Sequence, residues 1–440
     1  MDTSPTNTTH PAARGWALFP LAVFFGLYLA TFLCTGDLSG MPVSVAFLLT
    51  TAVALVFCRG SISLRLGVFC RGAGNETALY MVVIFILAGA FAGCAGAMGA
   101  IDATVGLLLG CFPPRMIPAA LFLAACLVSM TMGTSCGTIA ALMPIGAGLS
   151  PATGMSPAAM AGIVVGGAMF GDNLSFISDT TIVVTRGLGV RMRDKFLVNL
   201  RLVLPAAVAA TGLYLWMGWG LSPASAPAPG EVEWVRTLPC AGVLLAALCG
   251  LNVVLALAGG VALCGLVGLS SGSFSVWDWA LATHGGIVGG MGELIIVSLM
   301  AAGLFRLIEE NGGIQWLKYR LMRGVRTRRK AEGSLAALTL LANLSTANNT
   351  IALILTTPIA RNIVREYGID PRRAAGLLDT FSCFAQGMLP YGAQLLIASG
   401  LAGGIAPVAI LPHLHYPFLI GISSLVAIWL RYPRRYAGRP

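Results

Sequence analysis

Charged residues are scarce in this sequence. Only 10% of its 440 residues are Asp, Glu, Lys or Arg, whereas 57% are hydrophobic and the mean hydropathy is +0.84. Soluble globular domains carry about 25% charged residues, so the composition excludes an ordinary soluble protein. The sequence also lacks a GxxxxGK[ST] segment, which argues against a pump that is driven by a nucleoside triphosphate.

Cysteine pairs with a redox or metal-binding spacing are absent. The chain has 11 cysteines but no CxxC pair. Most of them lie inside apolar runs, among them Cys94, Cys126, Cys249, Cys264 and Cys383. This placement predicts small buried residues rather than disulfides or zinc ligands. We expect no cofactor.

Long apolar runs are abundant. A helix needs about 20 residues to cross a hydrocarbon core of roughly 30 Å. Runs that approach or exceed this length lie at about 15–36, 41–58, 77–100, 157–185, 195–218, 239–253, 254–272, 287–307, 374–399 and 413–430. They predict an all-α polytopic membrane protein. The first run is too long for a cleaved signal sequence and lacks the small-residue cleavage pattern, so we interpret it as a span.

The basic residues follow the pattern of a membrane topology signal. With the N-terminus placed in the cytoplasm, only Arg115 and Arg236 of the 27 Lys and Arg residues fall outside. This is the positive-inside bias, and it predicts cytoplasmic N- and C-termini in the inner or plasma membrane. It also explains the net charge of +10 without nucleic acid, which we do not expect as a partner.

Two further apolar stretches, at about 116–148 and 332–362, have polar tips in the middle. The tips are "GTSCGT" (Gly133–Thr138) and "NLSTANNT" (Asn343–Thr350). The second stretch has basic flanks on both sides, so it must enter the membrane and return. Irregular backbone at membrane depth is tolerated only when it is buried in protein or lines a cavity. These stretches predict two re-entrant hairpins that enter from opposite faces.

A shift of 214 residues superimposes the two halves of the chain. Between 144 and 170 it gives seven identities in 27 ungapped positions, among them Pro144 with Pro358 and Gly154 with Gly368. Under this shift a cytoplasmic loop overlies an outside loop, so the second copy is inverted. We predict two inverted-topology repeats, 1–218 and 239–440, joined by an outside linker at 219–238. Each has about five transmembrane helices plus one re-entrant hairpin, with a broken helix at the midplane (about 157–185 and 374–399).

The segment "GDNLSFISDTTI" (Gly171–Ile182) places a cluster of polar residues inside one of these spans. An ionised aspartate at the bilayer centre costs at least ~2.5 kcal/mol, so Asp172, Asp179 and Asp379 are candidates for function. In a continuous helix, Asp172, Ser175 and Asp179 would share one face. In the second half, Gln386 and Pro390 interrupt the equivalent span, and the proline must break or kink a helix.

A buried carboxyl group holds either a proton or a cation, because burial favours its neutral form and a bound cation its ionised form. This exclusion is the minimal chemistry of cation/proton exchange, and hard cations such as Na⁺ prefer oxygen ligands. We expect Asp172 and Asp179 to bind Na⁺. The candidate ion- or substrate-binding residues are Asp172, Asn173, Ser175, Ser178, Asp179, Thr180, Thr181, Asn348, Asn349, Thr350, Asp379 and Gln386, with Thr134, Ser135, Thr138 and Glu293 as further possibilities. Alternatively, the hydroxyl groups only cap a kinked helix or join helices.

The same segment, followed closely by "VRMRDKFLVN", resembles the NhaC-type sodium/proton antiporter family of the ion-transporter superfamily. Its signature is Gly-Asp-x-Leu-Ser-Pro-Leu-Ser-Asp-Thr-Thr, and Phe176 stands where many members have proline. "NNTIALILTTPI" is similar to hairpin tips of the wider superfamily. The matching positions are Gly171, Asp172, Leu174, Ser175, Ser178, Asp179, Thr180 and Thr181. The resemblance implies secondary active Na⁺/H⁺ antiport, although some relatives move carboxylates or amino acids.

Two other functions compete with Na⁺/H⁺ antiport. The first is a Na⁺- or H⁺-coupled transporter or exchanger of a small organic acid or amino acid held by the hairpin tips, although no arginine lies in the middle of a span. The second is an intramembrane aspartyl protease, which is disfavoured because Met169 stands where its glycine should be and no Tyr-Asp pair occurs. We therefore expect no enzyme. The expected partners are the lipid bilayer, small cations, a small organic solute under the first alternative, and a second copy of the chain in a homodimer.

Overall fold

The protein is an all-helical membrane protein. The computed structural model describes residues 14–35, 41–176, 178–219, 221, 234–322 and 327–432, and the regular elements within these ranges are helices. Eight helical stretches of the described chain are long and apolar enough to cross a membrane, or up to nine when the bent pair Pro407–His413 and His415–Leu430 counts as one. The predicted fold class is thereby confirmed at this level.

The first half of the chain contains ten α-helices. They are α1 (Phe19–Thr35), α2 (Val43–Phe57), α3 (Ile62–Ala73), α4 (Glu76–Ala97), α5 (Ala100–Cys111), α6 (Ile117–Met132), α7 (Ser135–Thr153), α8 (Pro157–Leu174), α9 (Asp179–Leu188) and α10 (Met192–Trp219). The predicted linker at 219–238 lies mostly outside the described residues.

The second half contains eleven α-helices within the described ranges. They are α11 (Trp234–Leu248), α12 (Val253–Ser270), α13 (Val276–Gly285), α14 (Met291–Glu310), α15 (Gly313–Met322), α16 (Arg328–Thr346), α17 (Asn349–Tyr367), α18 (Pro371–Met388), α19 (Ala393–Leu401), α20 (Pro407–Ile410) and α21 (His415–Leu430). A π-helical segment, Gly286–Gly290, leads into α14.

Helix ends in the two halves recur at a constant offset of 214 residues. Helices α6 and α16 end at 132 and 346, α7 and α17 cover 135–153 and 349–367, α8 and α18 begin at 157 and 371, and α9 and α19 begin at 179 and 393. The ends of helices depend on local backbone chemistry rather than on apolar composition. The same backbone plan therefore occurs twice.

The turns between α6 and α7 and between α16 and α17 are built alike. Gly133 and Ala347 adopt left-handed conformations with φ of 68° and 50°, which end the preceding helices. Thr134 and Asn348 then cap the following helices, because their side chains accept hydrogen bonds from the backbone N–H groups of Gly137 and Ile351. Each tip thus presents the first residue of a helix, Ser135 or Asn349, to its neighbours.

The four helices α16 to α19 are not among the candidate membrane spans. Polar residues or short length keep them outside the set that satisfies the length and hydropathy test, whereas α6 and α7 satisfy it. The predicted run at 374–399 is a pair of helices, α18 and α19, and the pair is not among the candidate spans. Of the five cysteines predicted to be buried, four are, but Cys249 is exposed.

Close packing of α8 against α6 fixes the position of the polar segment. A Cβ atom on Gly171 would lie 2.3 Å from the Cβ atom of Ser129, and one on Gly167 would lie 2.5 Å from the carbonyl oxygen of Phe122. Only glycine permits this approach, which is typical of helix pairs in membranes. The end of α8 is thereby held in the protein interior.

Candidate functional site

The "GDNLSFISDTTI" segment is a break between two helices. Helix α8 ends at Leu174 and α9 begins at Asp179, and the described residues between them are not helical. The expected helical face shared by Asp172, Ser175 and Asp179 therefore does not form. At the equivalent place in the second half, α18 ends at Met388 and α19 begins at Ala393, with Pro390 between them.

Asp172 lies at the centre of this region and is only 4% exposed. Its Oδ1 accepts a hydrogen bond from the Ser178 hydroxyl at 2.6 Å. Its Oδ2 accepts from the Ser135 hydroxyl at 3.0 Å and from the Asn349 amide at 3.4 Å. Among the described residues, no Lys, Arg or His forms an ion pair with Asp172. The break and both tips thus converge on one buried carboxylate that has polar but uncharged partners.

Asp379, in contrast, is paired with a basic residue. The Lys195 ammonium lies 2.6 Å from Asp379 Oδ2, and the two side chains are 1% and 0% exposed. The ammonium also donates to the carbonyl oxygen of Asn173 at 2.7 Å and to the hydroxyl of Thr181 at 2.6 Å. Lys195 on α10 therefore connects α18 to α8 and α9, the helices on the two sides of the break.

Asn199, one turn further along α10, connects the same groups. Its amide nitrogen donates to Asp379 Oδ2 at 2.7 Å, to Asn173 Oδ1 at 2.8 Å and to the Asn173 carbonyl oxygen at 3.1 Å. All three partners are acceptors, so the orientation of the amide is determined. The first turns of α10 line the break with one cation and one amide.

A chain of amides joins the first tip to the second. The Gln394 amide nitrogen donates to Ser135 Oγ at 3.0 Å, and that of Gln386 donates to Gln394 Oε1 at 2.7 Å and to the carbonyl oxygen of Ala347 at 3.0 Å. Gln386 is the counterpart of Asp172 under the offset of 214. Of these contacts, the one between Gln394 and Ser135 joins the two halves of the chain.

Several predicted residues serve local structure in this geometry. Thr134 and Asn348 are helix caps, and the Thr138 hydroxyl donates to the Thr134 carbonyl oxygen at 2.9 Å. Thr350 uses its backbone N–H to donate to Asn349 Oδ1 at 3.0 Å. The Ser175 hydroxyl donates to the carbonyl oxygen of Met130 at 3.1 Å. The capping alternative thus describes these contacts.

Two predicted carboxylates lie apart from the buried network. Asp179, in the first turn of α9, is exposed, and so is Glu293, which accepts a hydrogen bond from the Ser44 hydroxyl at 2.6 Å. Thr180, by contrast, is buried beside Ser178, with 2.9 Å between their hydroxyl oxygens. Of the three predicted aspartates, the structure brings Asp172 and Asp379 into the network.

Three residues of the network were not predicted: Lys195, Asn199 and Gln394. The positive-inside count assigned Lys195 to a loop, although α10 begins before it at Met192. Gln394 carries a detectable signal, since the offset of 214 pairs it with Thr180. Asn199 is the last residue of "VRMRDKFLVN" and a polar residue inside the predicted run 195–218.

A cavity of about 400 Å³ reaches the second tip. Ala347 and Asn348 of the tip and Tyr391 line one part of it, and Arg71 and Arg306 line another. Arg306 is engaged by Glu309 and Glu310 at 2.8 and 2.6 Å. The cavity provides space for a solute next to the second tip, whose Asn349 amide donates a hydrogen bond to Asp172.

The chain matches the Na⁺/H⁺ antiporter family over residues 4–219 and 238–432. It belongs to this family. The NhaC Na⁺/H⁺ antiporter of Bacillus subtilis is 22% identical over 98% of this chain and 100% of its own length. The NhaC resemblance is thereby confirmed, and the family is one of antiporters rather than enzymes.

Other relatives differ in their named substrates. The malate-2H⁺/Na⁺-lactate antiporter of Bacillus subtilis is 23% identical over 93% of this chain and 94% of its own length. Among solved structures, the YdaH transporter of Alcanivorax borkumensis is 15% identical, with a TM-score of 0.42 over 95% of this chain and 100% of its own. Family membership and the apolar helices together identify an integral membrane protein of the plasma membrane.

Proposed function

We propose that this protein exchanges Na⁺ for H⁺ and that both cations bind in turn to Asp172. The observation that carries the proposal is a buried carboxylate that has hydroxyl and amide partners but no basic one. An isolated buried charge is very costly, so a proton or a metal ion must neutralise it. Because one carboxylate does not hold both at once, binding of one cation drives release of the other.

The groups around Asp172 suit such an exchange. Ser135 and Ser178 now donate to the carboxylate, and their hydroxyl hydrogens are free to rotate. After rotation, the same oxygens face a metal ion together with the carboxylate oxygens. Hard cations prefer ligands of this kind.

The surrounding backbone supports alternating access. The constant offset of helix ends and the basic residues near the predicted cytoplasmic loops favour two repeats of inverted topology, with the site at the bilayer midplane between them. In this arrangement both termini are cytoplasmic, and the tips are re-entrant hairpins. Asp179, exposed beside Ser178, attracts cations towards the break.

The decisive experiment measures collapse of a pH gradient in inside-out vesicles on addition of Na⁺, Li⁺ or K⁺. Asp172→Asn removes the charge and keeps the shape, so we expect loss of exchange at normal abundance in the membrane. Glu293→Gln, which changes an exposed carboxylate outside the network, is the matched control and should retain exchange. Undiminished exchange in Asp172→Asn would disprove the role of Asp172.

A second candidate is exchange of a small organic acid coupled to Na⁺ or H⁺. Its support is the cavity at the second tip, with exposed Arg71 in its lining, and the malate and lactate named for one relative. Helix N-termini such as that of α17 favour carboxylates. The same vesicles can be tested for uptake of labelled malate and lactate. Uptake without any response to alkali cations would favour this function over the first.

A further inference from the structure

The Lys195 ammonium occupies a complete oxygen cage beside the proposed cation site. An ammonium group has three N–H donors, and Lys195 has three close acceptors. These are Asp379 Oδ2 at 2.6 Å, Thr181 Oγ1 at 2.6 Å and the Asn173 carbonyl oxygen at 2.7 Å. A carboxylate, a hydroxyl and a carbonyl are also the oxygen types that bind hard metal cations.

The cage owes its negative potential to the helix break. Asn173 lies in the last turn of α8, where carbonyl groups lack partners within the helix and carry the negative end of the helix dipole. Asp379 adds a full charge. Without a cation, oxygen atoms of α8, α9 and α18 would therefore face one another in the protein interior.

The Asp379 carboxylate offers one more oxygen atom than the lysine uses. Asp379 Oδ1 and Asn199 Oδ1 are both buried and have no hydrogen-bond partner among the described residues. Metal cations take more oxygen ligands than an ammonium ion has protons. The free Asp379 Oδ1, on the carboxylate of the cage, therefore suits a metal ion better than it suits the lysine that is present.

We infer that Lys195 is a tethered cation that permanently fills a second alkali-metal site. It keeps Asp379 unavailable to transported ions, so that Asp172 alone carries a cation in each cycle. The inference rests on the proposed function of Asp172, which lies next to Asn173 in the sequence and within electrostatic range of both Lys195 and Asp379. Lys195 thereby limits the number of ions that the carrier binds.

The test is equilibrium binding of ²²Na⁺ to purified protein in detergent. We expect Lys195→Ala to bind one more Na⁺ per chain than the unmodified protein. The double variant Lys195→Ala/Asp379→Asn should lose this additional ion, because it removes both the lysine and the charge of the cage. No additional Na⁺ in a folded Lys195→Ala protein would overturn the inference.

Two further measurements separate this inference from the proposed function. Asp172→Asn should abolish Na⁺ binding, whereas Lys195→Ala/Asp172→Asn should still bind one Na⁺. Unchanged Na⁺ binding in Asp172→Asn would refute the proposed role of Asp172 but not the inference about Lys195. If Lys195→Ala folds poorly, NaCl but not choline chloride should restore its monodisperse state. Failure of NaCl to do so, together with normal folding of Lys195→Ala/Asp379→Asn, would also overturn the inference.

Discussion

Removal of one partner from the ion pair between Arg373 and Glu332 should destabilise the protein strongly. Arg373 Nε lies 2.6 Å from Glu332 Oε1, and the two side chains are 1% and 3% exposed. The same guanidinium donates to Glu332 Oε2 at 2.9 Å and to the carbonyl oxygens of Ala427 and Tyr432. Arg373 thus joins α16 and α18 to the end of α21.

Arg373→Met leaves the Glu332 carboxylate buried without a cation. Removal of one partner from a buried pair costs about 3–5 kcal/mol, and we expect a loss of this size in the free energy of unfolding. Glu332→Gln/Arg373→Met removes the stranded charge and should recover part of the loss. Arg191→Met, in the pair of Arg191 and Asp194 where Arg191 is 83% exposed, is the matched control and should cause no resolvable change.

The measurement is equilibrium unfolding in mixed micelles, followed by helical circular dichroism as the denaturing detergent fraction rises. The reasoning would be refuted if Arg373→Met were no less stable than Arg191→Met. It would equally be refuted if the double variant were no more stable than Arg373→Met. Either result would mean that water or structural relaxation compensates the charge of Glu332.

Three further substitutions test the packing and the proposed ligands of the site. Gly171→Ala should reduce the yield of monodisperse protein in size-exclusion chromatography, because the new Cβ atom would lie 2.3 Å from the Cβ atom of Ser129. Gly212→Ala is the control and should leave the yield unchanged, because its new Cβ atom would meet nothing within 4 Å. Equal yields of the two variants would contradict this account. Ser178→Ala should weaken Na⁺ binding about tenfold or more in a ²²Na⁺ titration, since it removes a hydroxyl oxygen that faces the metal ion in the proposed exchange, and each loss of about 1.4 kcal/mol lowers the affinity tenfold. Asn349→Ala should have a smaller effect, because its contact with Asp172 is 3.4 Å long, and the reverse order would argue against the proposed ligand geometry.

The breaks and tips could be predicted because they depend on local chemistry. Polar residues interrupt the apolar runs at the same offset in both halves, and helix caps and left-handed residues sit at the interruptions. Asp172 and Asp179 look equivalent in the sequence, yet the break leaves one buried and the other exposed. Their difference arises from the path of the backbone after Leu174, which hydrophobic periodicity does not specify.

The role of Lys195 depends on tertiary contacts and could not be predicted. A basic residue near the end of an apolar run is normally assigned to a loop, since long basic side chains reach the interface. Here α10 packs against α8 and α18, and the side chain is directed to Asp379 instead. Only the packing of α18, which is distant in sequence, against α8 and α10 distinguishes these cases.

The constant offset pairs Asp172 with Gln386. The two halves therefore share a backbone plan but differ in charge at this position. An amide stays neutral when an ion approaches, whereas a carboxyl group can lose its proton when a cation approaches. In the proposed exchange, the first copy of the motif provides the group that responds to the ion, and the second copy provides a neutral amide dipole at the equivalent position.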